Sequence, residues 1–385
     1  MYESIASPLS RRALLKGAVS TAALGALAPS MLSGCSDAAA GPAYRAWHQK
    51  QKGTLTDLEY ITQCGTLAAS PHNTQPWKFR LLGNHIQVFA DRERHLGHAD
   101  QERRMMLMAV GAAIENMRVA AERLEYHTRV ELDADARFRD GGYCATLHLE
   151  RRAAGNTHPW FDALFNRQTT RTEFAALSAP PVRLLETLQA GQDLPGLTLQ
   201  WFRTPHELQA LADVNRASVR SFLAQDRNHR DGMRWFRISR AQWERHGDGI
   251  AVFNGDASWI AKEYVQWLVS TEDVLGDSFK QAEIEIVDRL VAATPMWGLI
   301  HAQRASNNLR VQAGRLAERV YLEAAVHGCA LQPMCYATET DAGRRQLRLH
   351  AGLPAAAEPL FLFRLGRSQH VAKSVRRPLA EVLLA

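Results

Sequence analysis

Two amide side chains and an indole share one short, Pro-bounded stretch, Ser70-Pro71-His72-Asn73-Thr74-Gln75-Pro76-Trp77. Each Pro fixes its own φ and turns the residue before it away from helical backbone, so the chain follows a set path here. Asn73 and Gln75 each offer an acceptor and two donors, which suits a ring edge that mixes carbonyls with N–H groups. A planar heterocycle is the natural guest, and the pyrimidine edge of a flavin has that mix. His72 can donate to such a ligand or make a structural hydrogen bond in the turn. The plainer alternative is an ordinary loop covering a core Trp.

Three further segments carry chemistry: Asn166-Arg167-Gln168-Thr169-Thr170-Arg171, Leu331-Gln332-Pro333-Met334-Cys335-Tyr336 and Ser374-Val375-Arg376-Arg377-Pro378. Taken alone, the two basic segments read as solvated charged faces. The octet resembles the Pro-Ser-x-x-Asn-x-Gln-Pro-Trp turn of the nitroreductase family, and closely that of its two-repeat, Acg-like branch. The Arg167–Arg171 segment resembles the Arg-x-Ser-x-Arg start of a nitroreductase subunit.

The resemblance implies FMN as cofactor, lined by Ser70, Pro71, His72, Asn73 and Gln75. It assigns the FMN phosphate to Arg167, Thr169 and Arg171 on one side and to Arg376, ahead of Arg377, on the other. Arg suits that task because its planar fork pairs with phosphate oxygens. It places Gln332, Pro333 and Met334 against flavin N5, although the Glu-Gly that follows this Pro in the family is missing. No side chain is required as a catalytic acid or base, because the flavin takes electrons from one ligand and passes them to the next. The implied activity is ping-pong reduction of a small-molecule acceptor such as a nitro compound or quinone. Two competing readings are a protein that sequesters FMN with little turnover and a duplicated fold that has lost its cofactor.

Other chemistries find no support. There is no serine-hydrolase elbow, no P-loop and no Gly-x-Gly-x-x-Gly fingerprint. Cys64, Cys144, Cys329 and Cys335 form no CxxC or Cys/His cluster, so no metal is expected, and a disulfide among them has three possible pairings. The formal charge is +6, and Lys and Arg are scattered rather than striped with aromatics, which argues against nucleic-acid binding.

The elements that must position these residues follow from pattern. Residues 55–67 read as a helix into the octet, and Trp77–Leu82 and His85–Ala90 as a hairpin about Gly83-Asn84. Residues 104–124 form the strongest helix, with Gly111-Ala112-Ala113 narrowing it midway. Gly314-Arg315-Leu316-Ala317-Glu318-Arg319-Val320 lines up with Gly111-Ala112-Ala113-Ile114-Glu115-Asn116-Met117. The family has one such interface helix per subunit, so two in one chain imply an internal duplication. His158-Pro159-Trp160 opens the second half, which lacks an Asn73/Gln75 turn, while the first half lacks an Arg167–Arg171 segment. One flavin per chain is therefore expected. A surplus around 225–275, with Trp235, Trp243, Trp259 and Trp267, reads as a lid or as a peripheral helical pair.

The first residues read as an address. Ser10-Arg11-Arg12-Ala13-Leu14-Leu15-Lys16 leads into an uncharged Ala- and Leu-rich run, the pattern of a twin-arginine export signal. Leu32-Ser33-Gly34-Cys35 resembles a lipobox, with Cys35 as the lipidated anchor. Removing residues 1–34, which hold Arg11, Arg12 and Lys16 against Glu3, lowers the charge from +6 by two to +4.

The sequence thus predicts an α+β, nitroreductase-like fold, a mainly antiparallel sheet flanked by helices, including a 359–366 strand, duplicated as a monomeric pseudo-dimer. Its divisions are a signal over 1–35, a linker over 36–54, a first repeat over 55–155 and a second over 156–385. Its partners are a small-molecule electron acceptor, the twin-arginine translocase during export and a membrane reached through the lipid anchor on the periplasmic side; an exported flavoprotein cannot count on NAD(P)H, so a different electron donor, or no turnover, follows.

Overall fold

The computed structural model describes residues 41–153, 159–174, 179–190, 193–237, 239–251, 275–368 and 373–385. The export signal with Cys35, and His158, Trp259 and Trp267, lie outside the described residues. Helix α1 (Asp57–Gly65) opens on a reciprocal cap: the Thr56 hydroxyl accepts from the Glu59 N–H and the Glu59 carboxylate accepts from the Thr56 N–H. It delivers the chain through a tight turn at Pro71–Asn73 into β1 (Trp77–Leu82) and β2 (His85–Ala90). These pair antiparallel from Trp77↔Ala90 to Leu82↔His85, the hairpin that Gly83-Asn84 calls for. Helix α2 (Arg104–Arg123), β3 (Tyr126–Leu132) and β4 (Tyr143–Arg151) follow, and the sheet order is β1-β2-β4-β3.

The second half repeats this plan. After α3 (Trp160–Asn166) and α4 (Val182–Ala190) comes β5 (Leu197–Phe202). Helices α5 (Pro205–Leu223), α6 (Asp226–Met233), α7 (Arg240–His246) and α8 (Asp277–Ala292) then precede β6 (Trp297–Ala302). Helix α9 (Asn307–Val326), β7 (Cys329–Pro333), α10 (Asp341–His350) and β8 (Glu358–Arg367) complete a second antiparallel sheet, ordered β5-β6-β8-β7. Strand for strand in chain order the two sheets have the same topology, with α2 and α9 at the same place in each. In place of one central sheet there are two, one per repeat.

The same comparison corrects the insertion's limits. It fills the whole interval between β5 and β6, where the first repeat has only the two-residue Gly83-Asn84 turn, and so is wider than 225–275. Its helices α5 and α8, together with α10 from between β7 and β8, cover the outer face of the second sheet through Phe202, Val219, Phe222, Val287, Trp297 and Leu362.

Helices α2 and α9 form the central pair between the repeats. Residues Met106–Ala121 of α2 are almost wholly buried, and so are most of Val311–Ala324 in α9. The helices touch backbone to backbone, since a Cβ on Gly111 would lie 1.8 Å from the Val311 carbonyl oxygen and one on Gly314 1.8 Å from that of Met108. Small residues at that crossing are what permit such an approach.

The expected linker is a second correction. From residue 41 it folds into short helical turns, Pro42–Tyr44 and Arg45–His48, and buries Tyr44 and Trp47 in the first repeat's core. Cys64, Cys144, Cys329 and Cys335 are free thiols. Among the described residues, no helix is long and apolar enough to cross a membrane, and no group of three or more His, Cys, Asp or Glu is arranged to hold a metal.

Candidate functional site

The octet turn holds left-handed backbone at three residues other than Gly: His72 (φ 47°), Asn73 (φ 52°) and Gln75 (φ 49°). Such backbone is costly and persists only where surrounding contacts fix it. Here the Ser70 hydroxyl accepts from the Gln75 N–H at 3.1 Å, and the octet's amides lock onto distant chain. Asn73 Nδ2 donates to the Val375 carbonyl at 3.1 Å, while its Oδ1 accepts from the Arg376 guanidinium at 3.1 Å. Gln75, fully buried, donates to the Gly247 carbonyl at 2.7 Å and accepts from the Arg377 N–H at 2.9 Å. The turn is thereby tied to the C-terminal basic segment and to the insertion, which adds a Gly249 N–H to the Asn73 carbonyl.

Arg167–Arg171 arrives from α3 and lies alongside β7, with the Thr170 N–H bonded to the Leu331 carbonyl and a parallel bridge between Thr169 and Leu331. Arg167 pairs with Glu318 of α9 at 3.0 Å and also donates to the Leu67 carbonyl at the end of α1. Arg376 donates to the carbonyls of Leu67 and Ala68 at 3.0 and 3.2 Å. A cleft opens where these segments meet, lined by Trp47, Ser70, Asn73, Arg167, Thr169, Arg171 and Arg376 among others. The space between them is about 40 Å³, room for a phosphate-sized group.

The electrostatics of this cleft are one-sided. Glu318, fully buried, accepts from the Ala69 N–H as well as pairing with Arg167, and burial pushes its carboxyl up against that pairing. Arg376 is held well below its ordinary range by burial and by Arg167 beside it. Burial, then Arg167 and Arg376, bring the Lys373 ammonium down to about 7, with its Nζ donating to the Phe165 carbonyl at 2.6 Å. Arg171, lowered by burial, makes no hydrogen bond or ion pair with any described residue. Burial and the neighbouring Arg171 hold His72 down to about 4, and its Nδ1 is buried without a hydrogen-bond partner among the described residues. The structural hydrogen bond weighed for that ring is absent at this nitrogen.

The remaining sequence candidates sit at the margins. Thr169 shares a hydrogen bond of 2.9 Å with the Tyr321 hydroxyl. Arg377 turns away from the cleft toward Asp91, Glu381 and the Gln75 carbonyl. The Gln332 side chain accepts from the fully buried Arg364 at 2.7 Å, and the Met334 N–H is bonded to the Leu362 carbonyl at 2.8 Å. Trp47, Lys373 and Glu318 were not among the candidates. Trp47 sits in what read as linker, Lys373 two residues before the basic pair, and Glu318 inside the duplicated helix, where its alignment with Glu115 was the available signal.

That alignment has a structural counterpart. Glu115 on α2 and Glu318 on α9 occupy matching positions, and the next residues are Asn116 and Arg319. Glu115 is enclosed by Arg118, Arg315 and Arg319 at 2.8, 2.9 and 2.8 Å. Burial alone would push its carboxyl up, and the three guanidiniums instead hold it far below the carboxylate range. The position related to the cleft is thus filled by the chain's own arginines.

No family model matches the chain. Two curated relatives, each named "Putative NAD(P)H nitroreductase" and from two strains of Mycobacterium tuberculosis, are 27% identical over 129 residues, 33% of this chain and 36% of theirs. The chain therefore matches about a third of the length of these relatives. Among solved structures, the FMN- and NADPH-dependent nitroreductase NfnB from Sphigopyxis sp. strain HMH is 16% identical, covering 58% of this chain and 96% of that one at a TM-score of 0.37. An iodotyrosine deiodinase bound to FMN and 3-iodo-L-tyrosine is 11% identical over 57% of this chain and 95% of that one, TM-score 0.35. A BluB-like flavoprotein from Clostridium difficile 630 is 12% identical, covering 57% and 95%, TM-score 0.37.

Proposed function

We propose that the chain is an FMN-binding oxidoreductase of the nitroreductase type, with one cofactor site where the octet, the Arg167–Arg171 segment and the Arg376 segment converge. The observation that carries this reading is a surplus of buried and half-buried cations. Among the described residues, Arg167, Arg171, Lys373 and Arg376 cluster about one carboxylate, Glu318, and Arg171 makes no hydrogen bond or ion pair. Buried cations without counter-charges are costly, and a near-dianionic phosphate is the group that would offset them. The donor set fits the phosphate of FMN, the cofactor that the resemblance of the octet and the Arg167–Arg171 segment implies.

When bound, the flavin supplies reversible two-electron chemistry. Arg171, with the Thr169 and Ser70 hydroxyls, would hold the phosphate, while Arg167 and Arg376 are fixed behind them by Glu318 and the Leu67 and Ala68 carbonyls just past α1. Neutral His72 can donate a hydrogen bond to a ligand without adding charge. The acceptor is a nitro compound, a quinone or a similar small molecule.

Export through the twin-arginine route with lipid attachment at Cys35 belongs to the same proposal. It rests on Ser10–Lys16 and Leu32–Cys35, and it requires a donor other than NAD(P)H, which stays in the cytoplasm. A Cys35→Ser variant that remains in the membrane fraction as fully as the wild type would contradict the anchor.

One observation favours the alternative, a protein that holds FMN with little turnover. The Met334 N–H, at the place expected to face flavin N5, is bonded to Leu362, and the insertion is tied down on the octet through Gly247 and Gly249. Stopped-flow reoxidation of chemically reduced, FMN-loaded chain separates the two. Fast reoxidation by a nitroaromatic or quinone supports the reductase, and reoxidation no faster than that of free FMN supports the holding protein.

A further inference from the structure

We propose that Trp47 is a positioning residue of the anion site, which makes the segment upstream of the motif region part of that site. This rests on the reading given under Proposed function. The Trp47 indole lies 4.5 Å from Lys373 Nζ, 4.6 Å from the Arg376 guanidinium and 5.5 Å from that of Arg167, measured to its ring. It is 5% exposed and lines the cleft. Its own placement is fixed from both sides, since Nε1 donates to the Ser374 carbonyl at 2.8 Å and the neighbouring Ala43 carbonyl accepts from the Arg376 N–H at 2.8 Å.

Three cations gathered in a largely buried cluster repel one another, and among the described residues Glu318 is the one carboxylate paired within the group. An indole face attracts cations through its quadrupole, most strongly where water is excluded. It does so without formal charge. A second carboxylate at this place would hold the three cations equally well but would cancel the field that draws in a phosphate. Trp47 therefore keeps the cations gathered while leaving their charge available to the ligand. Lys50, paired with Asp162 at the surface, adds a further positive charge facing Lys373 and so increases the repulsion that the indole offsets.

The test compares Trp47→Leu and Trp47→Phe with the wild type in the full chain, titrated with FMN and with riboflavin, which lacks the phosphate. Trp47→Leu is expected to weaken FMN by a factor of about ten or more, the scale of desolvated cation–π contacts. Riboflavin affinity should be unchanged within about threefold, and Trp47→Phe should retain most of the FMN affinity. Wild-type FMN affinity in Trp47→Leu would overturn the inference. So would equal losses of FMN and riboflavin in both variants, which would mark Trp47 as packing alone. A wild-type chain that binds neither flavin would instead overturn the functional reading, and this inference with it.

Discussion

Glu115 and Glu318 stand at matching positions on the paired helices, both sealed from water, and they are neutralised from different directions. Glu115 is met by arginines of the helix pair itself, and Glu318 by Arg167, which arrives from outside the pair. Two aligned positions make the difference: Arg315 and Arg319 reach across to Glu115, whereas their counterparts on α2 are Ala112 and Asn116, and Asn116 meets Glu318 without bringing a charge. On the proposed reading, the duplicated fold keeps one anion site and fills its counterpart.

Arg167 and Arg171 should separate stability from binding. Arg167→Met strips buried Glu318 of its ion-pair partner and should cost about 3–5 kcal/mol. Arg171→Met removes a cation that makes no hydrogen bond or ion pair among the described residues, so folding stability should hold or rise. It should nonetheless weaken FMN by roughly 10- to 100-fold, the worth of a charge-assisted hydrogen bond. Urea unfolding and FMN titration of both variants check this, and an Arg171→Met chain that binds FMN like the wild type would refute the phosphate assignment.

Two bases give the chain a pH dependence of stability with a definite sign. His72 is held at about 4 and Lys373 at about 7, both below their ordinary values of 6.5 and 10.5. In each window the unfolded chain binds more protons than the folded one, so stability rises with pH between 4 and 6.5 and again between 7 and 10.5. Lys373→Met should flatten the upper window and leave the lower one. Urea midpoints from pH 5 to 9 provide the measurement.

How far this was legible in the sequence depends on the range of the interaction. The β1–β2 hairpin was read residue for residue because its signal is local: alternating burial on each side of Gly83-Asn84. Helix α2 and its echo in α9 were readable because apolar periodicity and a central Gly survive without knowledge of the partner. The partners of Asn73 and Gln75 were not readable, since both amides reach residues about 300 positions away at Val375–Arg377. Trp47 was missed for a related reason. Tyr44 and Trp47 are too few, in a short stretch that runs on into polar and basic residues, to show a period, and the three cations that define the role of Trp47 come from later chain.

The helix crossing offers a test of the duplication. Gly111→Ala or Gly314→Ala puts a methyl 1.8 Å from a main-chain oxygen that no rotamer change can move. Each should cost about 3 kcal/mol or more, at the upper end of overpacking effects, because the two repeats must part to accommodate it. Thermal melts falling by only a degree or two would show that the helices do not approach as closely as described.

Gln75 connects the octet to the insertion. Gln75→Leu leaves the Gly247 carbonyl and the Arg377 N–H without their partner and should cost about 1–3 kcal/mol. Limited proteolysis should then cut faster between residues 203 and 296 than in the wild type. An unchanged cleavage pattern would mean that the insertion is held in place by other contacts.

The central claim is a single anion-anchored flavin site in a duplicated fold, and the number of FMN molecules per chain tests it most directly. The purified chain, saturated with FMN, freed of excess and read by its visible absorption against protein concentration, should carry one FMN per chain, because Arg315 and Arg319 fill the related position. Two per chain would contradict the filled counterpart, and a chain that stays colourless with added FMN would contradict the site itself.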